Sequence, residues 1–260
     1  MFFSSDNSSP AHPKVMEALV AANAGYMPSY GGDPIMDEVR ARIREIFEAP
    51  EAAVYLVATG TAANVLSLAC YCPPWSAIFC HRNAHIEEDE CASPEFYTGG
   101  AKLVLVDGEH AKMTPETLRE TIRFTGRGGV HNVQRGMVSI TDVTENGTVY
   151  SVSEVAALAA VAKDYGLPVH MDGARFANAL VSTNASPADL TWRAGVDVLS
   201  FGGTKNGLMG VEAVVLFDPD NGFEILAQTA IPKRHSLIDP AGGWYTRMDH
   251  LGRPIVPTPG

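Results

Sequence analysis

From residue 53 onward, short apolar runs alternate with longer segments of helical period. The apolar runs are 53–58, 77–81, 102–106, 137–142, 167–171 and 196–201. They lack clean apolar/polar alternation, which suggests strands covered on both faces. Between them, helices are expected from Thr61, around Thr114-Pro115-Glu116, and over 153–165. This punctuation predicts an α/β fold: a mostly parallel sheet flanked by helices. Ahead of it, a polar arm through Pro13 leads into a helix with Val15, Met16, Leu19 and Val20 on one face, ended near Gly25. A second helix follows Asp33 as cap and Pro34 at its first position, with Ile35, Met36, Val39, Ile43, Ile46 and Phe47 forming its apolar face.

Residues 125–136, TGRGGVHNVQRG, read as a loop, and beyond Phe217 prolines and glycines break up every period. The chain is thus expected to divide into an arm with two helices (1–50), a large domain (51–222) and a divergent tail without a folded module (223–260).

The chain has 260 residues, 46% of them hydrophobic, enough for a substantial core. A formal charge of −11 with no basic cluster argues against nucleic acid or an anionic membrane as partner. The four cysteines form no CxxC pair, so reduced thiols are expected and metal is not, despite His81 and His85 near Cys80. The start lacks a leader pattern, which makes a cytoplasmic protein the default.

Candidate chemistry gathers where strands end. In VATGTAAN, 57–64, a strand hands over to a helix; Gly60 permits close approach and the first turn's N–H groups could hold a phosphate. The same stretch could be an ordinary turn in which Thr59 or Thr61 merely caps. Asp172 closes the run 167–171 and Lys205 follows the run 196–201 across Gly202-Gly203, so Asp172, Arg175 and Lys205 could converge beyond the strand ends. Singly, Asp172 could be a helix cap, Arg175 a solvated residue and FGGTKNG a surface turn. Together, a phosphate cradle, an acid, a lysine and a histidine are the parts needed to hold pyridoxal phosphate.

With SSDNSSPAHP, YGGDP, ATGTAAN, AHIEEDE, TENGTVYS, HMDGARFANAL and FGGTKNGLMG in that order, residues 3–222 resemble the threonine aldolase family of pyridoxal-phosphate enzymes, in its low-specificity L-threonine aldolase branch. The resemblance implies the large domain of the aspartate-aminotransferase-like fold and cleavage of L-threonine, L-allo-threonine or related β-hydroxy-α-amino acids to glycine and an aldehyde, in a homodimer or homotetramer. It assigns Lys205 to the cofactor aldehyde, Asp172 to the pyridine nitrogen and Arg175 to the ring's phenolic oxygen. It places Gly60 and Thr61 at the phosphate, with Thr204 as a further contact. His85 stacks on the ring and serves the substrate hydroxyl, and Ser5 lies near the substrate carboxylate. Glu145 takes no assigned role, since some branches carry histidine there.

After about Phe223 the sequence leaves the family pattern, and the small C-terminal domain, with its substrate-binding arginine, has no counterpart; Arg234, Arg247 and Arg253 cannot be matched to it. The ending reads as a shifted frame or a divergent short end. Two further readings stay open: a non-catalytic fragment that keeps the large domain, and a β-eliminating lyase with the same cofactor.

Overall fold

The computed structural model describes residues 5–29, 31–218, 247–248 and 254–255. Seven strands, β1 (Ala53–Val57), β2 (Ser76–His81), β3 (Lys102–Val106), β4 (Gln134–Thr141), β5 (Val169–Gly173), β6 (Val198–Gly202) and β7 (Glu212–Leu216), form one sheet in the order β1-β7-β6-β5-β4-β2-β3. β7 runs antiparallel to both neighbours, and all other pairs are parallel. The helices are α1 (Pro13–Ala22), α2 (Pro34–Ile46), α3 (Gly60–Tyr71), α4 (His85–Glu88), α5 (Ser93–Tyr97), α6 (Pro115–Phe124), α7 (Val152–Asp164), α8 (Phe176–Thr183) and α9 (Pro187–Leu190).

The expected mostly parallel sheet is therefore present, and it is covered on both faces. Along β2, Ile78 and Cys80 enter one apolar cluster with α3, while Ala77 and Phe79 enter the other with α2, α6, α7 and α8. This two-sided burial explains the unbroken apolar runs: with a helix layer on each side, both sets of alternating side chains leave water. The second cluster is centred on Phe47, fully buried, with Phe176, Phe201 and Phe217 at ring distances of 5.3–5.8 Å. Replacing such a ring by alanine costs about 3–5 kcal/mol.

Local signals mark the helix starts. Asp33 Oδ1 accepts from Met36 N–H at 2.9 Å, Thr59 Oγ1 from Ala62 N–H at 3.1 Å, and Ser151 with Glu154 forms a reciprocal capping box. The expected first helix forms, but it buries none of its residues: Met16, Leu19 and Val20 all remain exposed.

Several boundaries differ from expectation. β4 begins at Gln134, inside the expected loop 125–136, because Gln134 N–H pairs with Trp75 O beside β2. β5 and β6 start two residues late, since residues 167–168 and 196–197 are spent on turns in which Asp197 Oδ2 accepts from Val169 N–H. The antiparallel β7 has no counterpart in the expected pattern, and α4, α5 and α9 are too short to show a period. The expected tail lies almost wholly outside the described residues, as do Arg234 and Arg253; from it, the backbone pairing of Arg247–Met248 with Pro254–Ile255 is described.

Candidate active site

The carboxyl ends of β1, β2, β5 and β6 open on one side of the sheet, and each hands over to a segment bearing a candidate group. Asp172 stands near the end of β5, directly opposite Ser200 of β6. Met171 points into the α2/α7 core, so by strand alternation Asp172 points to the α3 side. It is buried there. Its Oδ1 accepts from Ala174 N–H at 3.1 Å and its Oδ2 from Asn64 Nδ2 of α3 at 3.1 Å. Among the described residues no lysine, arginine or histidine nitrogen lies within 4.0 Å of it.

Lys205 sits in a single turn, Thr204–Asn206, immediately after β6. That turn is fixed by glycines and by one buried acid. A side chain on Gly202 would collide with the backbone of Ala174, and one on Gly203 with Val211 O, so two segments can cross at main-chain contact. Glu212 of β7 accepts from Gly203 N–H at 2.7 Å, and Asn206 Nδ2 donates to Gly202 O at 3.0 Å. Thr204 Oγ1 points to Val211 O at 3.5 Å.

The amino-terminal arm closes over this turn. Arg175 donates from Nε to Asp6 Oδ2 at 2.6 Å and from Nη2 to Asp6 Oδ1 at 3.2 Å, while His12 N–H donates to Gly207 O at 2.9 Å. Ser5, expected near the substrate, is exposed and accepts from Asn7 N–H at 3.2 Å, capping the turn that carries Asp6. Burial works to raise the Asp6 carboxyl, but Arg175 and then Lys205 outweigh it and hold it below its ordinary value. Burial likewise opposes the charge on Arg175, and Asp6, Glu145 and Asp172 restore it.

His85 begins α4, beyond the end of β2. Its Nδ1 lies 3.6 Å from Asp89 and 3.9 Å from Glu145 of the loop after β4, and its Nε2 lies 3.8 Å from Glu90. His85, Asp89 and Glu145 are the described residues whose ligand atoms gather within 4.8 Å of one another; Asp89 and Glu145 are exposed. The Cys80/His81 pair does not join them: Cys80 is buried, and His81 Nε2 meets Gly108 O at 3.0 Å.

Gly60 and Thr61 open α3, whose first intrahelical bond is Ala63 N–H to Thr59 O, so the N–H groups ahead of it lack helical partners. A side chain built on Gly60 would meet nothing within 4 Å, which leaves open space before the helix start. Burial raises the pKa of Glu90, and Thr61 acts with Asn64 to lower it.

Four groups were missed from sequence: Asp6, Asn64, Glu90 and His170. Asn64 is a polar residue inside the apolar run TAANVLSLAC and is buried in α3, a placement that signals a buried hydrogen-bonding task. His170 is fully buried two residues before Asp172; its Nδ1 lies 2.9 Å from Ser139 Oγ on β4 and its Nε2 2.9 Å from Ser200 Oγ on β6. Burial pushes its pKa down to about 4, against the pull of Asp172, so the ring is neutral and ties three strands together just beneath the site.

The donor set fits pyridoxal phosphate. A buried carboxylate with no cationic nitrogen of the described residues within 4.0 Å suits a protonated ring nitrogen, an open helix start suits a phosphate, and a lysine stands on the neighbouring strand end.

Over 218 residues the chain is 42% identical to a low-specificity L-threonine aldolase of Pseudomonas aeruginosa, covering 84% of this chain and 62% of that protein. It is 27% identical over 177 residues to a low-specificity L-threonine aldolase of Saccharomyces cerevisiae, covering 67% of this chain and 44% of that one. The solved structure of the Leishmania major threonine aldolase superimposes with a TM-score of 0.79 at 27% identity, covering 86% of this chain and 66% of that one. The chain therefore spans about three fifths of the length of its bacterial relative. The beta-eliminating lyase family matches residues 3–252, nearly the whole chain, and the protein belongs to that family.

Proposed function

We propose that this protein holds pyridoxal 5′-phosphate and cleaves L-threonine, L-allo-threonine or a related β-hydroxy-α-amino acid to glycine and an aldehyde. The observation that carries the reading is the placement of three groups at the carboxyl ends of neighbouring strands: buried Asp172, with no cationic nitrogen of the described residues within 4.0 Å, the open start of α3 bonded to it through Asn64, and Lys205 just after β6. Lys205 would hold the cofactor aldehyde, Asp172 the ring nitrogen, Arg175 the phenolic oxygen, and Gly60, Thr61 and Thr204 the phosphate. When bound, pyridoxal phosphate supplies an electron sink for bond cleavage at the substrate Cα.

The protein's own groups then decide which bond breaks. His85 takes the proton of the β-hydroxyl, directly or through water, and proton loss there favours Cα–Cβ cleavage. Asp89 and Glu145, 3.6 and 3.9 Å from Nδ1, favour a proton on the ring. Asp6 keeps Arg175 turned to the site, and its tether brings Ser5 to the substrate side. The exposed apolar face of α1 supports an assembly of two or four chains, which sedimentation would read directly.

The family name favours a second reading, β-elimination on the same scaffold, which would give a 2-oxo acid and ammonia instead. Visible absorbance, borohydride trapping and product analysis separate these. The expected result is a yellow protein, label fixed on Lys205, and glycine with acetaldehyde from L-threonine. A colourless protein with no label on Lys205 would sink the cofactor assignment. A yellow protein that releases no aldehyde would make the chain a cofactor-holding fragment.

A further inference from the structure

One amide of Asn64 serves two acids at once. Its Nδ2 donates to Glu90 Oε1 at 2.8 Å and to Asp172 Oδ2 at 3.1 Å, and all three residues are buried. Two atoms of this cluster are left over: among the described residues, Glu90 Oε2 and Asn64 Oδ1 are buried without a hydrogen-bond partner. Both leftover oxygens are acceptors with no donor, so the cluster is short of a proton.

Two carboxylates sharing one NH₂ group in a dry interior repel each other, so only one carries charge comfortably. Asp172 has the better claim, with the Ala174 N–H as a second donor and Arg175 close enough to be stabilised by its charge. The groups facing Glu90 are Asn64 and Thr61 from α3, Asp172 from β5 behind Asn64, and His85 from α4, with Nε2 3.8 Å from Oε1.

We propose that Glu90 is a positioning residue of the site: it carries the proton of the pair and anchors Asn64, so that Asp172 is held as the single negative charge facing the cofactor ring. This rests on reading the cleft as a pyridoxal-phosphate site. The Glu90 carboxyl is in keeping with it, since burial first, and then the charge of Asp172, push its pKa up to about 7 against the donors Asn64 and Thr61. Above that pH a second negative charge appears behind Asp172, and the hold on the ring nitrogen changes.

The test is the affinity of the full chain for pyridoxal phosphate, measured by fluorescence titration of cofactor-free protein from about pH 6 to 9, with circular dichroism to establish folding. Wild type is expected to show a change in affinity around neutral pH. Glu90→Ala should weaken binding by about tenfold throughout, because Asn64 loses its anchor. Glu90→Gln, neutral at every pH, should restore most of that loss and flatten the change.

A Glu90→Gln profile that keeps the wild-type change overturns the proposal, as does Glu90→Gln binding as weakly as Glu90→Ala. A second measurement needs no substitution at Glu90. In an Asp142→Asn, Asp197→Asn background, which removes the other described carboxyls whose pKa burial raises, infrared difference spectra should show a protonated carboxyl band near pH 6 that is gone by about pH 9. Absence of that band also overturns the proposal. If wild type binds no pyridoxal phosphate at any pH, the reading of the cleft fails and takes the proposal with it, whereas the other outcomes reject the role of Glu90 alone.

Discussion

Arg175 and Asp6 are separated by 169 residues and joined by two parallel hydrogen bonds, at 2.6 and 3.2 Å. This forked pair fastens the arm carrying Ser5 across the mouth of the strand ends. Both side chains are about one third exposed, so solvent screens the pair and its contribution to global stability is about 1 kcal/mol or less. Its effect on the arm should be larger than its effect on the fold. Asp6→Ala is expected to leave thermal unfolding nearly unchanged while speeding proteolytic cleavage in residues 5–12 and raising KM for the amino acid. An arm that stays equally protected would show that the His12–Gly207 contact alone holds it. Because the folded pKa of Asp6 is lowered, the contribution is fully present above pH 4 and fades only as pH falls through the folded value, so no change is expected between pH 6 and 8.

His85 keeps 28% of its side chain exposed, so its ring remains accessible at the start of α4. Removing a general base typically costs about 10²–10⁴-fold in rate. His85→Asn should lower kcat for aldehyde release in that range while the protein still takes up pyridoxal phosphate and still reacts with borohydride at Lys205. Equal loss of cofactor and of turnover would assign the residue to cofactor binding instead.

The Lys205 turn depends on main-chain contact. Gly202→Ala forces a methyl group onto the backbone of Ala174 in a packed interior, which costs about 1–3 kcal/mol or more and displaces the turn. Glu212→Ala leaves the buried Gly203 N–H without its acceptor, a loss of about 1–3 kcal/mol. Both should lower the unfolding midpoint in urea, and both should slow trapping at Lys205; unchanged trapping would mean that the lysine does not rely on this turn.

His170 gives the stability a definite pH dependence. Its folded pKa of about 4 lies below the ordinary value of 6.5, so the unfolded chain binds a proton that the folded one refuses between these values. Stability is therefore intact above pH 6.5 and declines as pH falls toward 4, by up to about 3 kcal/mol from this group. Urea unfolding of wild type and His170→Gln at pH 7 and pH 5 isolates the contribution: the wild type should lose more on acidification than the variant. Equal losses would show that His170 is not the group being protonated.

Much of the fold was legible because its causes are local or periodic. Six of the seven strands follow from apolar runs, and the starts of α2, α3 and α6 follow from Asp33, Thr59 and Thr114, with a proline after Asp33 and after Thr114. β7 was not legible, since Glu212–Leu216 follows a glycine-rich turn and its antiparallel pairing with both β1 and β6 is a property of the assembled sheet. The short helices α4 and α5 were hidden for a simpler reason: one turn or so has no period to read.

The same division runs through the candidate site. Sequence alone determined which groups could take part, because Asp172, Lys205, Gly60 and His85 stand where strands and turns end, and that position depends only on neighbouring residues. Tertiary structure alone decided what those groups touch. Asn64 meets Asp172 across 108 residues, Arg175 meets Asp6 across 169, and His170 takes a serine from each flanking strand. Such partners are chosen by burial: once a polar group is closed off from water it must be satisfied by whatever donor or acceptor the packed sheet and helices bring to it, and no spacing along the chain encodes that encounter.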